Sequence, residues 1–382
     1  MESAFSAMSP LFKPFMCGSL GIANRFVMSP MTREMSPGNI LNAGAPAYYA
    51  RRAAGGCGLV ITEGAAIPHP VAHQNSKVPG FSAENAAGWI QVAQAVHQAG
   101  GAIFAQLWHA GLYRAQADTL NADELSIAPS IVGKQAVRAM TDADITNLIR
   151  SYGNGAKLAL DCGFDGVEIH GAHGYLPDQF FWPVTNRRSD RYGGSMANRV
   201  RFAVEAVREI RRSTTASFPI MFRFSQWKGR QYDAKIAADP AELAAWLVPL
   251  AEGGVDIFDA STRRFWIPEF AGSDLSLAGW AKKVTGKPSM AVGSVGLESP
   301  LQVGAIGEMN EAKVSLANLS ELIRRFERGD FDLVALGRSV LTNPEWPNLV
   351  GAGQFDRIRP YDAKSVAARL ECGGSEDLRD VT

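Results

Sequence analysis

Residues 168 to 176 read EIHGAHGYL, so His170 and His173 stand three residues apart, directly before Tyr175, in a chain of 382 residues with six histidines. Three chemistries suit that spacing. As metal ligands the imidazoles would need a third partner, preferably a carboxylate. Glu168 precedes them on the same run and is expected to face another way, and no H-E-x-x-H pattern occurs, so no metal is expected. As ordinary loop residues they would only hydrogen-bond locally. As a pair of N–H donors aimed at one oxygen they would polarise a carbonyl or nitro group, with Tyr175 placed to supply a proton.

Other residues rich in fixed donors end apolar runs. Gln106, in AIFAQLW, has an amide that donates and accepts at once, as recognition of an imide or lactam edge requires. Arg223, in PIMFRFS, is a permanent cation with nothing nearby in sequence to neutralise it, and Thr32 adds a hydroxyl after RFVMSP. Two glycine-rich turns, Gly293-Ser294-Val295-Gly296 and Gly337-Arg338, offer bare backbone N–H groups beside an arginine. Either alone reads as a tight turn; together they point to a phosphorylated ligand. A flat, electron-accepting ring with a C=O/N–H/C=O edge and a phosphate tail would use all of these groups, and flavin mononucleotide (FMN) is such a ligand.

For those residues to meet, the runs that carry them must converge. Eight short runs rich in Val, Ile and Phe are expected as strands, at 25–30, 58–64, 102–108, 166–171, 219–225, 255–261, 288–294 and 332–339. Between them apolar side chains recur at three and four, as Ile145, Leu148, Ile149, Tyr152, Ala156 and Ala159 do, with Asp142 or Asp144 expected to cap that helix. Eight apolar strands, each followed by a helix, predict an α/β fold, the closed parallel TIM (β/α)8 barrel. An open doubly wound sheet is disfavoured because no strand runs into G-x-G-x-x-G.

The site of such a barrel forms at the C-terminal ends of its strands. There the chain places Ser29, Pro30, Met31 and Thr32, then Glu63 and Gly64, Gln106 to His109, His170 to Tyr175, Arg223, Ser261 with Arg263 and Arg264, and the two glycine turns. Residues 11–24 are expected to form a hairpin closing the barrel bottom, 109–140 a connection over its top, and 304–318 a longer link between the last two strands. One domain is expected over 1–382, with the barrel at about 25–350 and a tail after about 355.

Composition narrows the function. The charged side chains, 38 basic and 38 acidic, cancel, which leaves no electrostatic case for nucleic acid or an anionic membrane surface. No leader pattern and no run long enough for a membrane span appear, so a cytoplasmic location is expected. Cys17, Cys57, Cys162 and Cys372 lack any C-x-x-C spacing and read as reduced thiols, not disulfides, zinc ligands or cluster ligands.

The motifs, taken in order, resemble the Old Yellow Enzyme family of FMN-dependent ene-reductases. The likeness runs from about residue 10 to about 350 and rests on NRFVMSPMTR, AGGCGLVITEG, AQLWHAG, GVEIHGAHGYLPDQFFWP with NRRSDRYGGSMANRVRF, FRFSQW and DLVALGRSVLTNPEW. The resemblance implies that Ser29, Pro30, Met31 and Thr32 lie beside the flavin, Thr32 at its O4 edge. It implies that Gly64 admits the ring, Gln106 meets the pyrimidine edge, Arg223 lies at the N1/O2 side, and Gly293 to Gly296 with Gly337 and Arg338 cradle the phosphate. His170 and His173 become the substrate-binding pair, Tyr175 the proton donor, and Trp108 a pocket wall. NADH or NADPH would reduce the flavin before an electron-poor alkene binds in the same pocket, giving ping-pong kinetics, and oligomers are common in the family.

Thr32 stands where one branch of the family has cysteine. STRRFWIPEF (261–270) is expected to shape substrate acceptance, with Arg263 and Arg264 read as solvated in preference to anion-binding. Two readings remain beside the reductase. One is a metal-dependent barrel hydrolase or lyase using the histidines; the other is a flavin-binding module without turnover. A larger iron–sulfur relative is disfavoured by length and cysteine spacing.

Overall fold

The computed structural model describes residues 9–18, 20–133, 136–229, 231–298 and 313–362. It begins with an antiparallel hairpin, β1 (Phe15–Cys17) and β2 (Leu20–Ile22), followed by β3 (Phe26–Met28), β4 (Leu59–Ala66) and β5 (Ala102–Trp108). A small parallel pair, β6 (Ser126–Ala128) and β7 (Val137–Ala139), comes next. Then follow β8 (Gly166–His173), β9 (Ile220–Lys228), β10 (Ile257–Ser261), β11 (Ser289–Val292) and β12 (Leu333–Leu336). Strands β3 to β5 and β8 to β12 close into a parallel barrel in the order β10-β11-β12-β3-β4-β5-β8-β9. All eight expected strands are present, and the TIM barrel is the fold.

Barrel strands covered inside by one another and outside by helices have no wet face, so β4 and β5 are buried at every position. Inside, the strand-initial residues Leu59, Ala102, Ile257 and Leu333 pack with Val27, Phe104 and Met221. Phe15, Cys17 and Ile22 of the hairpin join the same cluster. The hairpin thus plugs the N-terminal end of the barrel, as its position in sequence predicts, and the opposite end is left for a site.

The outer helices are α1 (Ala45–Ala54), α2 (Ala86–Gln98), α3 (Asp142–Asp161), α4 (Leu176–Phe181), α5 (Met196–Arg199), α6 (Arg201–Ser213), α7 (Pro240–Gly253), α8 (Leu277–Thr285), α9 (Leu316–Glu327), α10 (Arg338–Thr342) and α11 (Trp346–Gly351). Helix α3 shows how they form. Its face of Ile145, Leu148, Tyr152, Ala156 and Ala159 is buried, and Tyr152 meets Phe202 of α6 with ring centroids 6.2 Å apart. Burying Ile145 and Leu148 contributes roughly 1.5–3 kcal/mol each.

The cap of α3 differs from the expected aspartate. Thr141 is the N-cap, its Oγ1 accepting from the Asp144 N–H at 3.2 Å, while the Asp144 carboxylate accepts from the Thr141 N–H at 2.7 Å. This reciprocal box satisfies two orphan donors, which neither aspartate alone does.

The 109–140 connection lies over the end of β8. Tyr113 meets Tyr175 with ring centroids 5.7 Å apart, and the Leu112 N–H donates to Gln179 Oε1 at 3.3 Å. Of the 304–318 link, 304–312 lie outside the described residues, as do Cys372 and the tail beyond 362. Cys17, Cys57 and Cys162 are buried free thiols. Among the described residues no helix is long and apolar enough to cross a membrane.

Candidate active site

The histidine-tyrosine corner sits where β8 leaves the barrel. The β8–β9 register shifts between Gly171 and His173, and His173 (φ 61°) and Gly174 (φ 86°) take left-handed backbone, which turns the chain sharply into α4. A Cβ on Gly174 would lie 2.6 Å from the Tyr113 ring, so glycine is required there by contact as well as by backbone. Beneath the turn, a buried ion pair stitches it to β9. Lys228 Nζ lies 2.8 Å from Asp178 Oδ1, Asp178 Oδ2 accepts from the Gly174 N–H at 2.6 Å, and the Gly229 N–H donates to the His173 carbonyl at 2.9 Å. Burial pushes the Asp178 carboxyl up to about 6 against the pull of Lys228.

That turn gathers four rings. His170 lies 5.1 Å from His173, 4.7 Å from Tyr175 and 6.1 Å from Trp108 between centroids, and Trp108 lies 4.8 Å from Tyr175. Trp227 stacks on His173 at 4.2 Å, and Ser261 Oγ lies 2.8 Å from His173 Nε2. Burial, then the charge of Arg223, holds His170 well below the ordinary imidazole range; burial, His170 and Arg223 do the same for His173. Both rings are therefore neutral near pH 7. The Ala172 N–H faces His170 Nδ1 at 3.4 Å, which assigns the ring proton to Nε2 and makes that nitrogen the donor. Burial, reinforced by Tyr113 and Glu34, keeps the Tyr175 phenol well above its usual range, hence protonated. Among the described residues no group of three or more His, Cys, Asp or Glu gathers as a metal cluster.

Arg223 does have a neutralising partner. Register sets Arg223 of β9 beside Asp259 of β10, and the two form a buried ion pair. The sequence hides this pair because its members lie 36 residues apart. Arg223 also reaches Ser29 Oγ at 3.4 Å and Ser261 Oγ at 3.3 Å. Glu168 belongs to the same group. Residues two apart on a strand share a face, so Glu168 lies on the His170 side of β8, one layer deeper, and not on another side as expected. It is fully buried and accepts from Gln106 Nε2 at 2.7 Å. Its other oxygen, Oε2, and Asp259 Oδ1 are both buried without a donor, while the two carboxyls are within hydrogen-bond reach of each other. A proton between them resolves both orphans. Burial, then repulsion from Asp259, raises Glu168 far above the usual carboxylate range, so Glu168 holds that proton and Asp259 carries the charge opposite Arg223.

A cavity of ≈ 300 Å³ opens beside this network. Its wall includes Ser29, Pro30 and Met31, then His173 and Arg223, and finally Gly293, Ser294, Val295, Gly337 and Arg338. Gly293 (φ 131°) has no room for a side chain, since a Cβ would lie 2.6 Å from the Thr262 carbonyl. Asn318 ties this turn together, donating to the carbonyls of Ser294 at 2.9 Å and Leu297 at 2.7 Å and accepting from the Gly296 N–H at 3.0 Å. The Gly296 N–H is thereby committed to the turn and not to a ligand. Burial and the nearby Arg263 lower the Arg338 guanidinium to about 10, still cationic at pH 7.

Gln106, Gly64 and Trp108 pack beside the cavity and not on its wall. A Cβ on Gly64 would meet Trp108 at 2.7 Å and Gln106 Oε1 at 3.1 Å. Thr32 is exposed and off the wall. Sequence reasoning missed Asp259, Trp227, Asn318 and the Asp178–Lys228 pair; only Asp259 left a signal, being two residues before Ser261 on an inward-facing run. The residues on and around the cavity fit FMN. Ser294, Gly337 and Arg338 suit a phosphate, and Arg223 with Ser29 suits the polar edge of a ring.

Donors of this kind, around one cavity at the C-terminal mouth of a parallel barrel, define the class of barrels that carry a flat phosphorylated redox group. The chain belongs to the NADH:flavin oxidoreductase / NADH oxidase family, whose model matches residues 10–356. It is 30% identical to an NADH oxidase of Thermoanaerobacter brockii over 97% of this chain and 54% of that protein. It is 39% identical to 12-oxophytodienoate reductase 1 of Oryza sativa subsp. japonica over 53% of this chain and 56% of that one. The chain thus spans about half the length of these curated relatives. The structure of morphinone reductase in complex with tetrahydroNAD superposes with a TM-score of 0.76 at 25% identity, covering 93% of each chain.

Proposed function

We propose that this chain is an FMN-dependent reductase that takes hydride from NADH or NADPH and reduces the C=C bond of electron-poor alkenes, α,β-unsaturated carbonyl or nitro compounds. The observation that carries the reading is the neutral histidine pair packed against a protonated tyrosine at the mouth of the barrel, beside a cavity lined by Arg223 and Arg338. Bound FMN would supply the hydride-carrying chemistry between nicotinamide and alkene.

The rest falls to the protein. Neutral His170 and His173 donate N–H groups to the carbonyl or nitro oxygen and withdraw electron density from the alkene. Tyr175 delivers its phenolic proton to the α-carbon. Arg223 keeps positive charge at the polar edge of the ring, its position fixed by Asp259. Gln106, with one N–H held by Glu168, keeps its remaining amide groups for the pyrimidine edge. Trp227, on the cavity wall, stacks on His173, and Trp108 packs behind it against His170 and Tyr175. Because nicotinamide and alkene share one pocket, the kinetics are ping-pong. A relative named for 12-oxophytodienoate, an unsaturated ketone, and another named for morphinone support a carbonyl-activated alkene.

Tyr175→Phe tests the assignment by separating the half-reactions. The variant is expected to be reduced by NADPH or NADH at nearly the wild-type rate, while turnover of a cyclic enone falls by about 10²-fold or more. Unchanged enone turnover would remove Tyr175 from the mechanism.

A further inference from the structure

We propose that Asp178 and Lys228 are positioning residues for the reaction, acting through His173 by holding its imidazole where the N–H meets the oxygen of the alkene substrate. The role rests on the alkene-reductase reading above and deepens it, because it names the residues that aim one of the two donors.

The pair converges on a strained point of the chain. Among the described residues His173 (φ 61°) is one of four with positive φ that are not glycine, and Gly174 follows at 86°. Left-handed backbone is uncommon for a residue with a β-carbon, so the surroundings must hold it. Those contacts come from two elements. On the β9 side the His173 N–H donates to Ser225 Oγ at 3.0 Å, and the His173 carbonyl accepts from the Gly229 N–H at 2.9 Å. On the α4 side the Gly174 N–H donates to Asp178 Oδ2 at 2.6 Å. Lys228 joins the two sides, its Nζ lying 2.8 Å from Asp178 Oδ1 and donating to the Ser225 carbonyl at 2.9 Å.

The ring follows its backbone. It stacks at 4.2 Å on Trp227, which β9 carries between Ser225 and Lys228, and its Nε2 lies 2.8 Å from Ser261 Oγ. His173, Trp227 and Ser261 all line the cavity assigned to FMN. A slip of the turn against β9 therefore moves the imidazole off Trp227 and changes where its N–H points.

Stability alone is a poor reason for the pair. Asp178 and Lys228 are 0% and 1% exposed. Desolvation offsets much of their attraction, and an apolar pair of similar size often serves a fold as well. The charged groups add what an apolar pair lacks, a hold on one particular N–H and one particular carbonyl on either side of His173.

The test uses two double variants, each removing both charges so that neither is left buried alone. Asp178→Leu with Lys228→Met deletes every polar contact of the pair, whereas Asp178→Asn with Lys228→Met returns an acceptor for the Gly174 N–H. Both are made with His173 intact and with His173→Ala, loaded with FMN and assayed with 2-cyclohexenone. FMN affinity is measured alongside, and imidazole 15N NMR reads His173, whose signal is assigned by its loss in His173→Ala. With His173 intact, the first variant is expected to keep wild-type FMN affinity while kcat/KM falls about tenfold, the size of one hydrogen bond. The second recovers part of that loss, and the His173 signal moves in the first and returns toward wild type in the second. With His173→Ala neither double variant lowers kcat/KM further, because the residue through which the pair acts is gone. Should the first variant fail to fold, the second decides by the same comparison. Unchanged kcat/KM, or equal fold-losses with and without His173, would overturn the role, as would lost FMN affinity, which places the damage beyond His173. A loaded wild type that reduces no enone would sink the alkene-reductase reading itself, and this role with it.

Discussion

Glu168 and Asp259 are two carboxyl groups buried together beside one arginine, and burial with repulsion from Asp259 favours the protonated form of Glu168. Glu168→Gln mimics the protonated acid, accepting from Gln106 and donating to Asp259, whereas Asp259→Asn leaves Arg223 buried without its counter-charge. Asp259→Asn is expected to cost about 3–5 kcal/mol of stability. The pH dependence has a definite sign. Glu168 has an unfolded value of 4.5 and a folded value far above it, so its contribution is full below about pH 4.5 and is lost as pH rises toward the folded value. Glu168→Gln lacks that loss, and its thermal stability relative to wild type should rise between pH 5 and 8, by up to about 1.4 kcal/mol per pH unit. A flat difference across that range would mean that Glu168 is ionised. At this scale the sequence was legible where one short stretch supplies neighbouring side chains, as EIHGAHGY does in bringing His170, His173 and Tyr175 together. It was not legible where partners such as Arg223 and Asp259 come from different strands and only the barrel register joins them.

Elements place these residues by devices of very different visibility. The eight strands were readable because strands buried on both faces are continuous apolar runs. The cap of α3 was misread because Thr141 and Asp144 act only as a reciprocal pair. The Gly293–Gly296 turn was readable from its glycines, but its brace, Asn318, comes from α9, more than twenty residues further along the chain. Asn318→Ala removes three hydrogen bonds from that turn and is expected to weaken FMN binding by about tenfold, roughly one to two net hydrogen bonds. Titration by flavin fluorescence checks this, with riboflavin, which lacks the phosphate, as the comparison. Equal losses for both ligands would show that Asn318 does not act through the phosphate end.

At the scale of the whole molecule, the hairpin plug and the proposed site occupy opposite ends of one barrel. The hairpin fills the N-terminal end with Phe15, Cys17 and Ile22, and the residues of the proposed site lie at the other. Ile22→Ala is therefore expected to lower stability by about 2–5 kcal/mol in urea unfolding while leaving KM for the alkene unchanged; a shifted KM would show that the two ends are coupled. The central claim is that this barrel binds FMN and passes reducing equivalents from a nicotinamide to an electron-poor alkene. The most direct measurement is the visible absorbance of the purified protein, supplemented with FMN, through anaerobic addition of NADPH or NADH and then of a cyclic enone. The account predicts an oxidised flavin spectrum that bleaches with the nicotinamide and returns with the enone. A protein that takes up no FMN, or whose bleached spectrum persists after enone addition, would contradict it.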